Sequence, residues 1–332
     1  MTRPLMTACL VLALSAPGPA GWAQPAAPAA PTDTVTPAIP GVVAAGTKVE
    51  VIKAGFTGTE GPVGLPDGSL IFTETQANRI TRIDKDTNAT SVYLENTNGS
   101  NGLGFDAKGR LISVQTTPGQ ARIGVIHPKD AVTTITDSFE GKPYGRPNDL
   151  VVAKNGGVYF SEPGPNATPG QPPPVPALTP AVYYVSPAGK VARVAEGIER
   201  PNGIMLSADE KTLYVNNTAG EYLLAYDVKA DGTLGPRRNF AKYGKVTKTP
   251  AGAFNSGADG LAIDAQNRVY AATAAGIEVF SAGGETLGAI PVSLQPQNIA
   301  FAGADKKTLY IVGRGAAFKV RVLTEGYKGR AK

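Results

Sequence analysis

Short apolar runs alternate with turn-forming clusters along this chain, and six stretches repeat one order. A polar residue comes first, then a small turn, an apolar strand, a turn rich in Asp, Asn or Gly, and a second apolar strand. They are EGPVGLPDGSLIF from Glu60, NGLGFDAKGRLIS from Asn101, NDLVVAKNGGVYF from Asn148, NGIMLSADEKTLYV from Asn202, DGLAIDAQNRVYA from Asp259 and QNIAFAGADKKTLYIV from Gln297. Each reads as a β-hairpin, and further alternating runs follow, such as RITRID (79–84), AVYYVS (181–186) and LLAYDV (223–228). The hairpins start 38 to 57 residues apart, and about four strands at that spacing make a propeller blade. The pattern predicts an all-β fold, a six-bladed β-propeller with four-stranded antiparallel blades. The segment 48–56 is expected to pair near residues 317–323 in the last blade, closing the ring and leaving no free sheet edge. A β-sandwich is the competing architecture, and chance similarity does not account for six in-register repeats.

In a blade the first strand of the hairpin is innermost, so its first residue stands at one mouth of the central channel. Those residues are Glu60, Asn101, Asn148, Asn202, Asp259 and Gln297, and none is apolar. Buried amides and carboxylates need partners. A bound cation would satisfy them together, whereas a water-filled channel of mutually bonded amides is the alternative. Ligation by oxygen alone points to a hard divalent ion, Ca²⁺ first, with Mg²⁺, Mn²⁺ or Zn²⁺ as the other choices. Two long links are expected at the same mouth. One is Pro163–Pro180, with eight prolines, and the other is Lys242–Ala258. The first is expected to form a fixed wall beside the site, since proline pre-sets its own backbone angle. Tyr159, Tyr183, Tyr184, Tyr214 and Tyr310 sit at strand positions that pack between blades.

Composition narrows the chemistry. The 332 residues include 40 Gly and 28 Pro, which argues against long helices or a coiled coil, while a hydrophobic content of 42% supports a real core. One Cys and one His exclude a disulfide framework, a Cys/His zinc site and a dyad of two histidines. A Ser-His-Asp triad would need His127, which stands before a proline at a strand end, and no G-x-S-x-G elbow is present. The net charge of +5 comes without any Lys/Arg run, so nucleic acid is not an expected partner. Residues 1–23 read as a signal peptide, with Arg3 ahead of the apolar Leu5–Leu14 and a small-x-small site at Gly21-Trp22-Ala23. Residues 24–47 read as a Pro/Ala-rich tether, and 48–332 as the propeller. Cys9 would leave with the signal, no later segment is long enough to span a membrane, and the expected location is periplasmic or secreted.

TEGPVGLPDG, RPNDLVV with GGVYFSEPG, RPNGIMLS with KTLYV, and ADGLAID resemble the SMP-30/gluconolactonase/LRE-like family across nearly all of residues 48–323. The resemblance implies a six-bladed propeller whose channel metal is held by Glu60, Asn148, Asn202 and Asp259. It also implies a lactonase or related hydrolase with Asp259 as base. Arg146, two before Asn148, matches the family arginine that meets substrate oxygens, and bracing its own turn is the alternative role. By their own chemistry Asn101, Glu162 and Gln297 read as pocket liners, with hydrogen bonding to backbone at the channel mouth as the alternative for each. Glu162 departs from the family pattern, which has an aspartate there, and the Pro-rich link after it is longer than the motif suggests.

Three functions follow from the same site. The first is a metal-dependent lactonase acting on a small sugar-type lactone, since a channel cation can polarise a carbonyl while a carboxylate takes a proton from water. The second is a phosphotriesterase-like hydrolase, because P=O is polarised as readily. The third is a propeller that binds a ligand or protein and uses its metal only structurally. The substrate's identity, the choice of metal and the oligomeric state are not written in the sequence.

Overall fold

A computed structural model describes residues 30–164, 178–250 and 252–332. Six antiparallel sheets form the blades. Blade one comprises Thr59–Gly64, Leu70–Glu74, Arg79–Ile83 and Thr90–Glu95; blade two, Ser100–Phe105, Leu111–Gln115, Arg122–His127 and Thr133–Thr136. Blade three is Leu150–Val152, Val158–Glu162, Ala181–Val185 and Val191–Glu196, and blade four is Pro201–Leu206, Thr212–Asn217, Tyr222–Asp227 and Arg238–Lys242. Blade five holds Leu261–Ile263, Val269–Thr273, Gly276–Phe280 and Thr286–Ile290. Blade six is built from Asn298–Ala302, Thr308–Gly313 and Ala316–Arg321, with Lys48–Ala54 as its fourth strand. Val49 pairs with Val320 and Ala54 with Ala316, so a strand from before blade one closes the ring as the sequence predicts.

The first strand of each blade is innermost and touches the first strands of both neighbouring blades. The core lies between blades rather than at one centre, because each two-sided sheet buries both faces against its neighbours. Val151, Tyr159 and Tyr184 of blade three pack with Met205 and Tyr214 of blade four, and Phe72 of blade one packs with Tyr310 and Ala317 of blade six. The five tyrosines expected between blades are all buried. Tyr159 also donates its hydroxyl to the Gly232 carbonyl at 2.7 Å, tying blade three to blade four.

Residues 34–47 correct the expected tether. Thr34–Val35 adds a short fifth strand outside Lys48–Ala54. Asp33 accepts from the Val51 amide at 2.7 Å and pairs with Lys48 at 2.6 Å. Ile39, Val42 and Val43 are buried against blades five and six, among Ile277, Ile290 and Val320. These three apolar residues stand among prolines and alanines, so their composition reads as a linker while their side chains cover an inter-blade groove. The expected signal, residues 1–23, and most of the Pro-rich link, residues 165–177, lie outside the described residues. No helix among the described residues is long and apolar enough to cross a membrane.

Candidate functional site

The six predicted channel residues occupy equivalent places. Glu60 pairs with Thr73, and Asn148, Asp259 and Gln297 donate their amides to Ser161, Ala272 and Val312. All four partners are the penultimate residues of second strands. The register slips by one residue just after this position in blades one, two and four, between Glu60 and Val63, Ser100 and Leu103, and Pro201 and Ile204. Such a bulge bends the strand and re-aims a side chain. Blade is stitched to blade at the same level: Gly102 donates to the Asn148 carbonyl at 3.0 Å, Gly203 to Asp259 at 3.0 Å and Gly260 to Gln297 at 2.7 Å.

The residue after each ring member is glycine in four blades, Gly61, Gly102, Gly203 and Gly260, because a Cβ there would strike the inner strand next door. The other two blades place Asp149 and Asn298 at this level, both buried, and each fills the space left by a neighbouring glycine, Gly102 and Gly260.

The ring is buried and under-bonded. Glu60, Asn101, Asn148 and Asn202 are buried, and Asp259 is half-buried. Among the described residues, Asn148 Oδ1, Asn202 Oδ1, Asp259 Oδ1 and both side-chain polar atoms of Asn101 are buried without a hydrogen-bond partner. Glu60 differs, for Gln297 Nε2 donates to its Oε1 at 3.2 Å and Asn298 Nδ2 to its Oε2 at 3.3 Å. Gln297 is occupied on its other side as well, accepting from the Arg314 amide at 2.7 Å. Burial pushes Glu60 up to about 7, with Asp149 adding to the rise and Asn298 opposing it. Burial also raises Asp259 well above its ordinary value, helped by the charges of Glu60 and Asp149. The charge of Glu60 thus disfavours ionisation of Asp259.

These atoms fit a hard divalent cation. Two carboxylates and two amide oxygens, three of the four residues with an unpartnered oxygen, form an all-oxygen donor set suited to such an ion. Among the described residues no three His, Cys, Asp or Glu side chains cluster as a metal site, so any ligand set here must draw on amides.

The remaining predicted liners fall out differently. Glu162 is fully buried, and its carboxylate accepts from the amides of Gly145 and Arg146 at 3.1 Å and of Gly164 at 2.8 Å. Its oxygens accept from backbone, so it shapes the segment before Asn148. Arg146 is half-buried at the rim. Burial lowers the pKa of Arg200, with Arg146 contributing, which sets the two guanidinium groups near one another. Glu162 pairs opposite Ala181, so both ends of the Pro-rich link leave from the mouth that carries Asn148. His127 pairs with Leu111, at the opposite end of blade two, and stacks obliquely on Tyr93 with ring centroids 5.7 Å apart.

Sequence reading missed several supports. Asn216 Nδ2 donates to the Asp259 carbonyl at 2.6 Å. Thr218 Oγ1 accepts from Asn202 Nδ2 at 3.2 Å and donates to the Ala258 carbonyl at 2.6 Å. Tyr243, in the second long link, donates to Asn216 Oδ1 at 2.8 Å. The missed Asp149 and Asn298 did carry a signal, since they replace glycine at the second position of the repeat.

The family model for the SMP-30/Gluconolactonase/LRE-like region matches residues 58–314, which include all six ring positions. A gluconolactonase of Zymomonas mobilis is 28% identical over 88% of this chain and 86% of its own length. A solved gluconolactonase from Xanthomonas campestris has a TM-score of 0.72 and 26% identity, covering 90% of this chain and 99% of that one. Regucalcin from Agrobacterium tumefaciens, described as a calcium-binding protein, shares the fold with a TM-score of 0.67 at 18% identity over 84% of this chain and 95% of that one. With the family model spanning most of the propeller, the chain belongs to the SMP-30/gluconolactonase/LRE-like family.

Proposed function

We propose that this protein is a divalent-metal-dependent lactonase that opens a small sugar-type lactone, and that it works outside the cytoplasm. The observation that carries this reading is the buried ring in which Asn148, Asn202 and Asp259 each keep an oxygen without a partner, in a chain whose relatives include named gluconolactonases. The pattern of residues 1–23 supports the location.

Glu60, Asn148, Asn202 and Asp259 would hold the cation, with Ca²⁺ the first choice. A divalent ion there supplies Lewis-acid polarisation of the lactone carbonyl. The protein's own groups divide the remaining work. Both oxygens of Glu60 are held by amide donors, which suits a fixed ligand. Asp259 Oδ1 has no such donor, so the Asp259 carboxylate is less tied up than that of Glu60 and is the one available to take a proton. Water attacks the carbonyl carbon as its proton passes to Asp259. The ring C–O bond then breaks, and the proton moves to the departing ring oxygen, leaving a hydroxy acid. Arg146 at the rim meets substrate oxygens, with its backbone fixed by Glu162.

The test is a pH-indicator screen of lactones and phosphotriesters on EDTA-treated and metal-restored protein. Metal-dependent acid release from lactones is expected. Release from phosphotriesters alone would replace the substrate class, and silence with every substrate would leave a binding propeller.

A further inference from the structure

The far end of the channel is closed by residues 325–332. Gly326 bridges to Asp264 of blade five, and the Tyr327 amide donates to Ile263. Arg330 donates to the carbonyls of Leu206 and Ser207 in blade four, and the Gly64 amide of blade one donates to Ala331 at 2.7 Å. All of these partners lie at or just beyond the ends of first strands. The segment therefore crosses the mouth opposite the ring. Ala331 and Lys332 sit against Val63, Leu103, Leu150 and Met205 from the inner strands of four blades.

From there Lys332 reaches into the channel. Its ammonium pairs with the Asp149 carboxylate, and the two side chains are 5% and 0% exposed. Asp149 is the residue after Asn148 and lies one level beneath the ring. Its other oxygen accepts from the Leu150 amide at 2.9 Å, and its own amide donates to Ser161 at 3.1 Å. Asp149 is felt at both Glu60 and Asp259, and Lys332 is felt at Glu60 with the opposite sign. Three carboxylates thus share this part of the channel, and Lys332 is the lysine paired to one of them. Arg146 and Arg314 also oppose the ring carboxylates, so Lys332 is one cationic contribution among three, and it is the one in direct contact with Asp149.

We propose that Lys332 is a positioning residue whose ammonium fixes Asp149 and sets the charge of the channel so that it favours a divalent ion over a trivalent one. This rests on the metal reading above. Unpaired, Asp149 would add a full negative charge just below the ring, and a trivalent ion gains more from that charge than a divalent ion does.

The experiment measures Ca²⁺ affinity by calorimetry and Tb³⁺ affinity by luminescence, on the full chain at one pH. Lys332→Met is expected to raise the Tb³⁺ to Ca²⁺ affinity ratio about tenfold over wild type. Lys332→Arg, which keeps the charge, should leave the ratio near wild type. Asp149→Asn combined with Lys332→Met removes both charges and should restore it, as a double-mutant cycle on a coupled pair requires. If Lys332→Met does not fold, Asp149→Asn alone decides: its unpaired ammonium should lower the Tb³⁺ to Ca²⁺ ratio below wild type, and an unchanged or raised ratio overturns the proposal. An unchanged ratio in folded Lys332→Met overturns the role of Lys332 and leaves the metal site standing. Failure of wild-type protein to take up either ion overturns both.

Discussion

The two ends of the central channel are made from the same six inner strands and treat polar atoms in opposite ways. At the far end the chain crosses the opening and most of its groups are paired: Arg330 contacts two carbonyls and Glu210, with its Nε alone left buried without a partner among the described residues, and Lys306 donates to the carbonyls of Tyr327 and Arg330. At the ring end, buried oxygens of Asn148, Asn202 and Asp259 have no donor. An unpaired buried polar atom costs about 1–3 kcal/mol, so a protein that merely needed a closed channel would have finished both ends alike. The largely satisfied end reads as structure, and the end with several open oxygens as a site kept ready for something that arrives from outside.

The largest expected effect breaks the ring end alone. Asp259→Asn preserves an oxygen and the shape while removing the proton acceptor, so kcat should fall about 10²–10⁴-fold. Calorimetry should still detect metal binding. Near wild-type turnover would show that Asp259 is a ligand only.

Breaking the far end should act on stability instead. Arg330 and Glu210 form an ion pair with side chains 8% and 17% exposed, and removing one partner of a buried pair costs about 3 kcal/mol. Arg330→Ala should therefore unfold at distinctly lower denaturant, with a much smaller change in kcat than Asp259→Asn. The opposite pattern would erase the distinction between the two ends.

A smaller change should improve the ring end as a structure. Asn101 is fully buried and neither side-chain polar atom is bonded. Asn101→Leu, close in size, should raise the stability of metal-free protein by about 1–3 kcal/mol, measured by chemical denaturation. A loss of stability would mean that the amide is satisfied in solution.

The subtlest effect is on pH. Burial raises Glu60 from the usual 4.5 to about 7, so the folded metal-free protein holds this proton more tightly than the unfolded chain. That contribution is complete below pH 4.5 and is lost as pH rises through about 7. EDTA-treated protein should show a higher Tm at pH 5.5 than at pH 8 on this account, and Glu60→Gln should shrink the difference. Metal affinity should change in the other sense, weakening as pH falls below 7 and the proton competes. A Tm difference unaffected by Glu60→Gln would assign the effect elsewhere.

Much of this is legible in the sequence. The hairpin repeat located the six inner strands and the ring at their starts, because a two-residue alternation with a turn at fixed spacing leaves few other folds. The closing strand was readable too, as its apolar alternation needed a partner. Other features were hidden for identifiable reasons. Ile39, Val42 and Val43 lie among prolines and alanines, with no alternation to betray a packed segment. Sequence leaves Glu162 open between lining a pocket and bonding backbone, because its sequence neighbours do not reveal the three backbone amides that converge on it. Asn298 and Asp149 were visible only as absent glycines.

The sequence by itself determined the number of blades, their order and the chemical identity of the ring, since these depend on local periodicity and on one residue per repeat. Tertiary structure alone decided which ring atoms are already bonded and which are left open. Glu60 meets Gln297 and Asn298, more than 230 residues away in the chain, and Lys332 meets Asp149 from 183 residues away. Such contacts exist only once the ring has closed, because closure is what brings the first blade against the last and the final residues beneath the third.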